Sequence, residues 1–222
     1  MFTTMFNCST KACIKKQIIM SDNKIKTLFL DIGGVLLTNG WGRESRVKAA
    51  EKFKLDYKEM DERHHLTFDT YELGKLTLDQ YLNRLVFYEE RDFSKDDFKT
   101  FMFERSKPYE ESLAFFRELK QKHKLNVIAV SNEGRELNEY RIRKFKLHNL
   151  FDAFVSSCYV RFRKPDADIF RMACDIAHAI PSETIHVDDR LMFVEVARSV
   201  GLHGLHHVDL NSTKEKIKHI NF

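Results

Sequence analysis

A short apolar run that ends in a polar tip recurs along this chain, and it dictates the fold. Thr27-Leu28-Phe29-Leu30 leads straight into Asp31 and then Gly33-Gly34. Such a run is too short for a buried helix, and turn-forming residues close it, so it reads as a buried strand entering a tight loop. The pattern returns at 126–130, which ends in Ser131-Asn132, and at 184–187, which ends in Asp188-Asp189. A shorter run at 154–156 is a further strand candidate, and 203–207 a weaker one. Helical periodicity fills the gaps: 109–122 lines up Leu113, Phe116 and Leu119, and 136–145 follows the second strand. Further on, 167–177 carries Ile169, Phe170, Ala173 and Ile176, and 192–200 carries Phe193, Val196, Ala197 and Val200. Buried strands that alternate with helices imply an α/β fold, a parallel sheet with helices on both faces and ligand chemistry at the carboxyl ends of its strands. The polar tips all fall at that edge.

Between 39 and 107 the pattern breaks. No convincing strand appears, and 46–53, 57–71, 77–88 and 94–103 read as helices in a segment rich in aromatics that holds the one tryptophan, Trp41. This is an inserted helical unit, 39–107, within a core domain of 23–38 and 108–222. Residues 1–22 read as a disordered extension, with Met20 as an alternative start. With 37 basic and 33 acidic side chains interleaved along 222 residues, nucleic acid is not expected as a partner. No apolar run approaches the ~20 residues of a membrane-spanning helix. The four cysteines are scattered without metal-ligand spacing, so reduced thiols and a cytoplasmic location are expected. Oligomeric state is not legible.

Four elements converge on the strand ends: Asp31 with its glycines, Ser131-Asn132, Lys164-Pro165-Asp166 and Asp188-Asp189. Each alone has a bland reading, as a turn, a helix entry or a helix cap. Together they suit phosphoryl chemistry. A strand-end carboxylate can attack phosphorus, but neighbouring anions repel one another unless a divalent cation neutralises them, and Asp188 and Asp189 offer the oxygen ligands magnesium prefers. Ser131 offers a hydroxyl, the backbone N–H groups of Asn132 and Gly34 could cradle phosphoryl oxygens, and Lys164 adds positive charge for the transition state.

The segments 31–36 (DIGGVL), 130–132 (VSN), 163–166 (RKPD) and 187–189 (VDD) resemble the haloacid dehalogenase-like hydrolase superfamily, over residues 26 to about 210. The resemblance implies a Rossmann-like core, a helical cap at the insertion, and magnesium-dependent hydrolysis of a small phosphorylated metabolite through an aspartyl-phosphate. It assigns Asp31 as nucleophile, Ser131 as phosphate-binding hydroxyl, Lys164 as stabilising cation and Asp188 with Asp189 as metal ligands, the Gly33 carbonyl also facing the metal. Two rivals are a dehalogenase, which would not need the paired terminal acids, and a weakened member that binds a phospho-ligand or a protein.

The chain departs from that family at Gly33, where its phosphatases carry a second Asp that moves the proton, and at Phe193, where many relatives carry Asn. Such a proton shuttle is worth ~10²–10⁴-fold. His64, His65 and Glu133 are the substitutes within the sequence, although histidines on a charged helix face are normally solvated. Arg43 and Trp41 could reach substrate, Trp41 more naturally anchoring the insertion by burial. His203, His206 and His207 lack an acid at ligand spacing and are read as structural.

Overall fold

Thr27–Leu30 forms β1, the central strand of an all-parallel sheet in the computed structural model, which describes residues 24–222. The stretch 1–22 read as an extension lies outside the described residues. Flanking β1 are β2 (Asn126–Ser131) and β4 (Thr184–Asp188), with β3 (Ala153–Ser156) and β5 (His203–His206) at the edges, in the order β3-β2-β1-β4-β5. Leu30 is in register with Ala129 on one side and Val187 on the other. Asp31, Ser131 and Asp188 therefore emerge together at the point where the strand order reverses, the place where open α/β sheets bind ligands.

The insertion contains α1 (Arg43–Phe53), α2 (Tyr57–Glu72), α3 (Leu78–Leu85) and α4 (Lys95–Glu104). Local chemistry sets their starts: Asp56 accepts from the Lys58 and Glu59 N–H groups, and Thr77/Gln80 and Ser94/Asp97 form reciprocal capping boxes, each worth about 1 kcal/mol. These helices have a core of their own, with Trp41, Phe53, Tyr71, Tyr81, Leu82 and Phe98 at its centre. The chain leaves and re-enters the sheet domain through adjacent segments, where Thr38 N–H donates to the Lys107 carbonyl at 2.9 Å and Tyr109 N–H to Leu36 at 2.9 Å.

The sheet domain continues with α5 (Glu110–His123), α6 (Arg135–Lys144), α7 (Ser157–Val160), α8 (Asp168–Ala177), α9 (Leu191–Ser199) and α10 (Leu210–Ile217). Alternation along the strands sorts them. Leu28, Leu30, Val127, Ala129 and Val187 face Leu113, Phe116 and Leu119 of α5 and Ile217 of α10, whereas Phe29, Ile128 and Val130 face Ile169, Phe170 and Ala173 of α8 and Ala197 of α9. This is the expected Rossmann-like α/β core with both faces covered. Among the described residues no helix is long and apolar enough to cross a membrane. α10 was not foreseen because its sequence, LNSTKEKI, carries only two large apolar residues, and α3 stops at Leu85 rather than continuing to 88.

Insertion and core are stitched together beside the strand ends. The Arg163 guanidinium reaches Glu72 at 2.6 Å and Asp69 at 2.9 Å, Leu78 N–H donates to Glu136 at 2.8 Å, and the Ser157 hydroxyl donates to the Glu72 carbonyl at 2.7 Å. The Tyr71 ring lies directly on Gly134, and a Cβ at that position would overlap it. Gly134→Ala is therefore expected to cost about 1–3 kcal/mol by overpacking, read as a lower urea midpoint. An unchanged midpoint would show that Tyr71 can give way.

Candidate active site

Lys164, 1% exposed, sits between two carboxylates: its Nζ is 3.0 Å from Asp31 Oδ1 and 2.6 Å from Asp188 Oδ2. Asp31 extends β1, with its backbone N–H bound to the Val187 carbonyl at 3.0 Å. Asp188 ends β4, takes a hydrogen bond from the Arg190 N–H at 2.8 Å, and lies 3.2 Å from His186 Nε2. Carboxylate oxygens of Asp31, Asp188 and Asp189 all lie within 4.8 Å of one another. Three aspartates and a lysine that the sequence separates by up to 158 positions are thus one cluster, in which Asp31, Lys164 and Asp188 are buried and Asp189 half-buried.

The electrostatics follow from that crowding. Burial pushes the Asp31 carboxyl up to about 7; Lys164 opposes this and Asp188 and Asp189 reinforce it. Burial would also raise Asp188, but Lys164 and His186 override it and hold that carboxyl below its usual range. Asp189 is raised by burial and by the charge of Asp188. Lys164 keeps its proton, since Asp188 and Asp31 outweigh the desolvation that would remove it. One buried cation facing three carboxyls leaves the cluster short of positive charge.

That shortfall makes a metal test possible on the residues themselves. Among the described residues, Asp189 Oδ1 is buried without a hydrogen-bond partner, and the other oxygen takes the Asn39 amide at 3.4 Å. A trio of carboxylates with an orphaned oxygen fits a hard divalent cation such as magnesium. Gly34 makes the arrangement possible: it adopts φ +77°, and a Cβ there would overlap the Asp189 carboxylate. Gly33 has no positive φ, and a Cβ would stand 2.9 Å from Asn39 Oδ1 and 3.9 Å from an Arg141 guanidinium nitrogen.

Several sequence expectations change in detail. The Gly34 N–H donates to the Leu37 carbonyl at 2.7 Å, so it is not free to cradle a phosphoryl oxygen. The Asn132 side chain is committed to the Lys164 backbone, donating to its carbonyl at 2.7 Å and accepting from its N–H at 2.8 Å, so it braces the lysine loop. Ser131 is buried at the end of β2. Phe193 presents its ring to the Lys164 ammonium at 5.2 Å, a cation–π contact.

Among the histidines, His64 is buried rather than solvated, its Nδ1 2.8 Å from the Tyr81 hydroxyl, which also accepts from Trp41 Nε1 at 2.8 Å. His65 is 70% exposed and faces Asp61. His203 and His207 contact Ser182 and Thr213, and His206 lies 3.0 Å from the Asp189 carbonyl. Arg43 is exposed at the start of α1. Sequence reasoning misses Arg141, whose buried guanidinium pairs with Glu133 at 2.5 Å; a basic residue on a helix with the charged pattern RELNEYRIRK looks like any solvated one.

A family model for haloacid dehalogenase-like hydrolases matches residues 25–201. The chain is 26% identical over 209 residues to D-ribitol-5-phosphate phosphatase of Bacteroides thetaiotaomicron, covering 80% of this chain and 89% of that one. It is 29% identical over 187 residues to the drimenol cyclase drtB of Aspergillus calidoustus, again over 80% of this chain but spanning only 33% of the fungal protein. A crystal structure of the HAD family enzyme bt-2542 from Bacteroides thetaiotaomicron, in complex with magnesium and inorganic phosphate, superposes with TM-score 0.71 at 22% identity, over 82% of this chain and 93% of that one. That last likeness speaks to the fold. A match across residues 25–201, on a core whose strand ends gather Asp31, Lys164, Asp188 and Asp189, makes this chain a member of the haloacid dehalogenase-like hydrolases.

Proposed function

We propose that this protein is a magnesium-dependent phosphatase of a small phosphorylated metabolite, working through an aspartyl-phosphate on Asp31. The observation that carries this reading is the trio of Asp31, Asp188 and Asp189, the first two buried and the third half-buried, gathered beside the buried cation Lys164. A dehalogenase would have no use for the paired acids, whereas a dianionic phosphate demands the extra positive charge they would recruit. The phosphatase activity in the name of the Bacteroides relative, and the magnesium and phosphate in the bt-2542 structure, support the same choice.

In this mechanism Asp31, Asp188 and Asp189, with the Gly33 carbonyl, would hold the magnesium, which would neutralise phosphate charge and keep Asp31 ionised. Asp31 attacks phosphorus, and the leaving oxygen departs with a proton. Lys164 holds Asp31 in place and contributes charge to the equatorial oxygens. Ser131 donates to the phosphoryl group. Water then attacks the acyl phosphate and regenerates the Asp31 carboxylate with inorganic phosphate. The insertion 39–107 serves as a cap over the core 23–38 and 108–222, held by the Arg163 pairs with Glu72 and Asp69. Buried free thiols at Cys158 and Cys174 suit the cytoplasm.

A phosphate-release screen over sugar, polyol and aryl phosphates, with and without magnesium, tests the reading. Release that needs the metal supports it. Binding of phospho-ligands without any turnover would instead favour the weakened, ligand-binding member.

Metal binding has an independent readout. Magnesium is expected to raise Tm, and more at about pH 8 than at about pH 5.5, because the cation competes with the Asp31 proton held at about 7. Roughly 30-fold weaker binding follows at the lower pH from a separation of about 1.5 units. A melting temperature indifferent to magnesium at both pH values would exclude the trio as a metal site.

A further inference from the structure

Gly33 removes the carboxylate that would move the proton, and the structure separates the three substitutes. His64 is sealed in the aromatic core of the insertion against Tyr81, and burial together with Arg46 pushes it down to about 3, so near neutral pH it has no proton to give. His65 points to solvent beside Asp61. Glu133 is placed differently. It follows Ser131-Asn132 at the carboxyl end of β2, beside β1, on the edge that carries Asp31. Its side chain is 7% exposed, and its Oε2 pairs with Arg141 at 2.5 Å.

Arg141 ties Glu133 to the gap at Gly33. The same guanidinium nitrogen that holds the glutamate lies 3.9 Å from the point where a Cβ on Gly33 would stand. Its Nε donates to the Ser106 hydroxyl at 3.0 Å and its other terminal nitrogen to the Thr38 carbonyl at 3.3 Å, so it is held from both segments that join the insertion to the sheet domain. A carboxyl is therefore brought from β2 toward the space that a side chain at position 33 would enter from β1. Resting on the phosphatase reading above, we infer that Glu133 is the proton-transfer residue of this site, with Arg141 as its positioning residue.

The step balances. Asp31 forms its bond to phosphorus as the ester P–O bond breaks, and protonated Glu133 gives its proton to the departing alkoxide, leaving an alcohol, the aspartyl-phosphate and a Glu133 carboxylate held by Arg141. In the second half a water oxygen bonds to phosphorus, the acyl P–O bond breaks, and Glu133 takes the water's proton. The groups around Glu133 permit both states: burial pushes it up to about 7, Arg141 on α6 opposes this, Glu72 on α2 and Asp31 on β1 reinforce it, and the Gly134 N–H steadies the carboxylate.

Glu133→Gln, with magnesium present, tests the assignment using propyl phosphate and 4-nitrophenyl phosphate. The alkyl ester should lose about 100-fold or more in kcat/KM, whereas formation of the phosphoenzyme from the nitrophenyl ester, whose leaving oxygen needs no proton, should hardly change. Hydrolysis of that phosphoenzyme lacks its base, so nitrophenol should appear as a burst of one equivalent per site, with the phosphoryl adduct visible on the intact chain. Wild type supplies a second readout independent of the variant's folding. Its kcat/KM for propyl phosphate should fall as pH rises through about 7, where Glu133 loses its proton, and that for the nitrophenyl ester should not. An equal loss on both esters without a burst, or identical alkaline limbs in wild type, would overturn the assignment and leave a structural ion pair. Wild type that releases phosphate from neither ester would instead overturn the phosphatase reading beneath it.

Discussion

Asp31→Asn is expected to reduce phosphate release to background, a loss on the order of 10⁴–10⁶-fold, because removing a nucleophile leaves only binding and electrostatic contributions. The fold should survive. Asparagine matches the aspartate in volume, the strand hydrogen bond from its N–H to Val187 is unaffected, and the amide oxygen can still accept from Lys164. The variant should even gain stability at alkaline pH without metal. Burial raises the folded-state pKa of Asp31 from 3.8 to about 7, so the native state binds this proton more tightly than the unfolded chain. Stability from that difference is present below about pH 4 and lost as pH rises through about 7. Asparagine carries no such pH dependence. Residual turnover within a factor of ten of wild type, on a variant that folds, would sink the covalent mechanism.

The core of the fold was legible because a buried parallel strand leaves little freedom in its composition. Thr27–Leu30 and Thr184–Asp188 are buried along their whole length, so polar residues inside them need internal partners, as Thr184 and His186 have, and the polar residue that closes each mainly apolar run stands at the sheet edge. That rule located Asp31, Ser131 and Asp188 without any knowledge of contacts. It could not reveal pairings between loops. The Asn132 amide looks like a ligand donor in sequence, and only the folded loop shows both ends of it spent on the Lys164 backbone. His64 sits in the run Glu62-Arg63-His64-His65, which reads as a solvated face, yet the helix turns His64 inward onto Tyr81 and His65 outward. Arg141 was invisible for the same reason: burial of a charge depends on where its counter-charge arrives, and Glu133 arrives from another element. What sequence periodicity encodes is which face is apolar, and the polar side chains used for function break that periodicity.

The same dependence of charge on its partners governs the second large effect, at Lys164. Lys164→Met keeps a long flexible side chain but removes the cation shared by Asp31 and Asp188. Deleting one partner of a buried ion pair typically costs about 3–5 kcal/mol, because the other is left uncompensated in a medium that solvates it poorly. Here two carboxylates are stranded, and they already repel Asp189. The loss should therefore be largest above about pH 7, where Asp31 is ionised in the parent protein, and should shrink as acid protonates Asp31 first. Magnesium should restore much of it, since a cation among the three carboxylates supplies charge that the lysine no longer does and binding to the native state adds stability by mass action. Activity should fall about 10²–10³-fold even in the metal-saturated variant, the scale set by losing one preorganised charge at the developing oxyanions. Chemical denaturation of wild type and variant at two pH values, with and without magnesium, separates these effects. A Lys164→Met protein as stable as wild type at about pH 8 without metal would show that the three carboxyls are not held ionised against one another, and that the charge deficit assigned to this site does not exist.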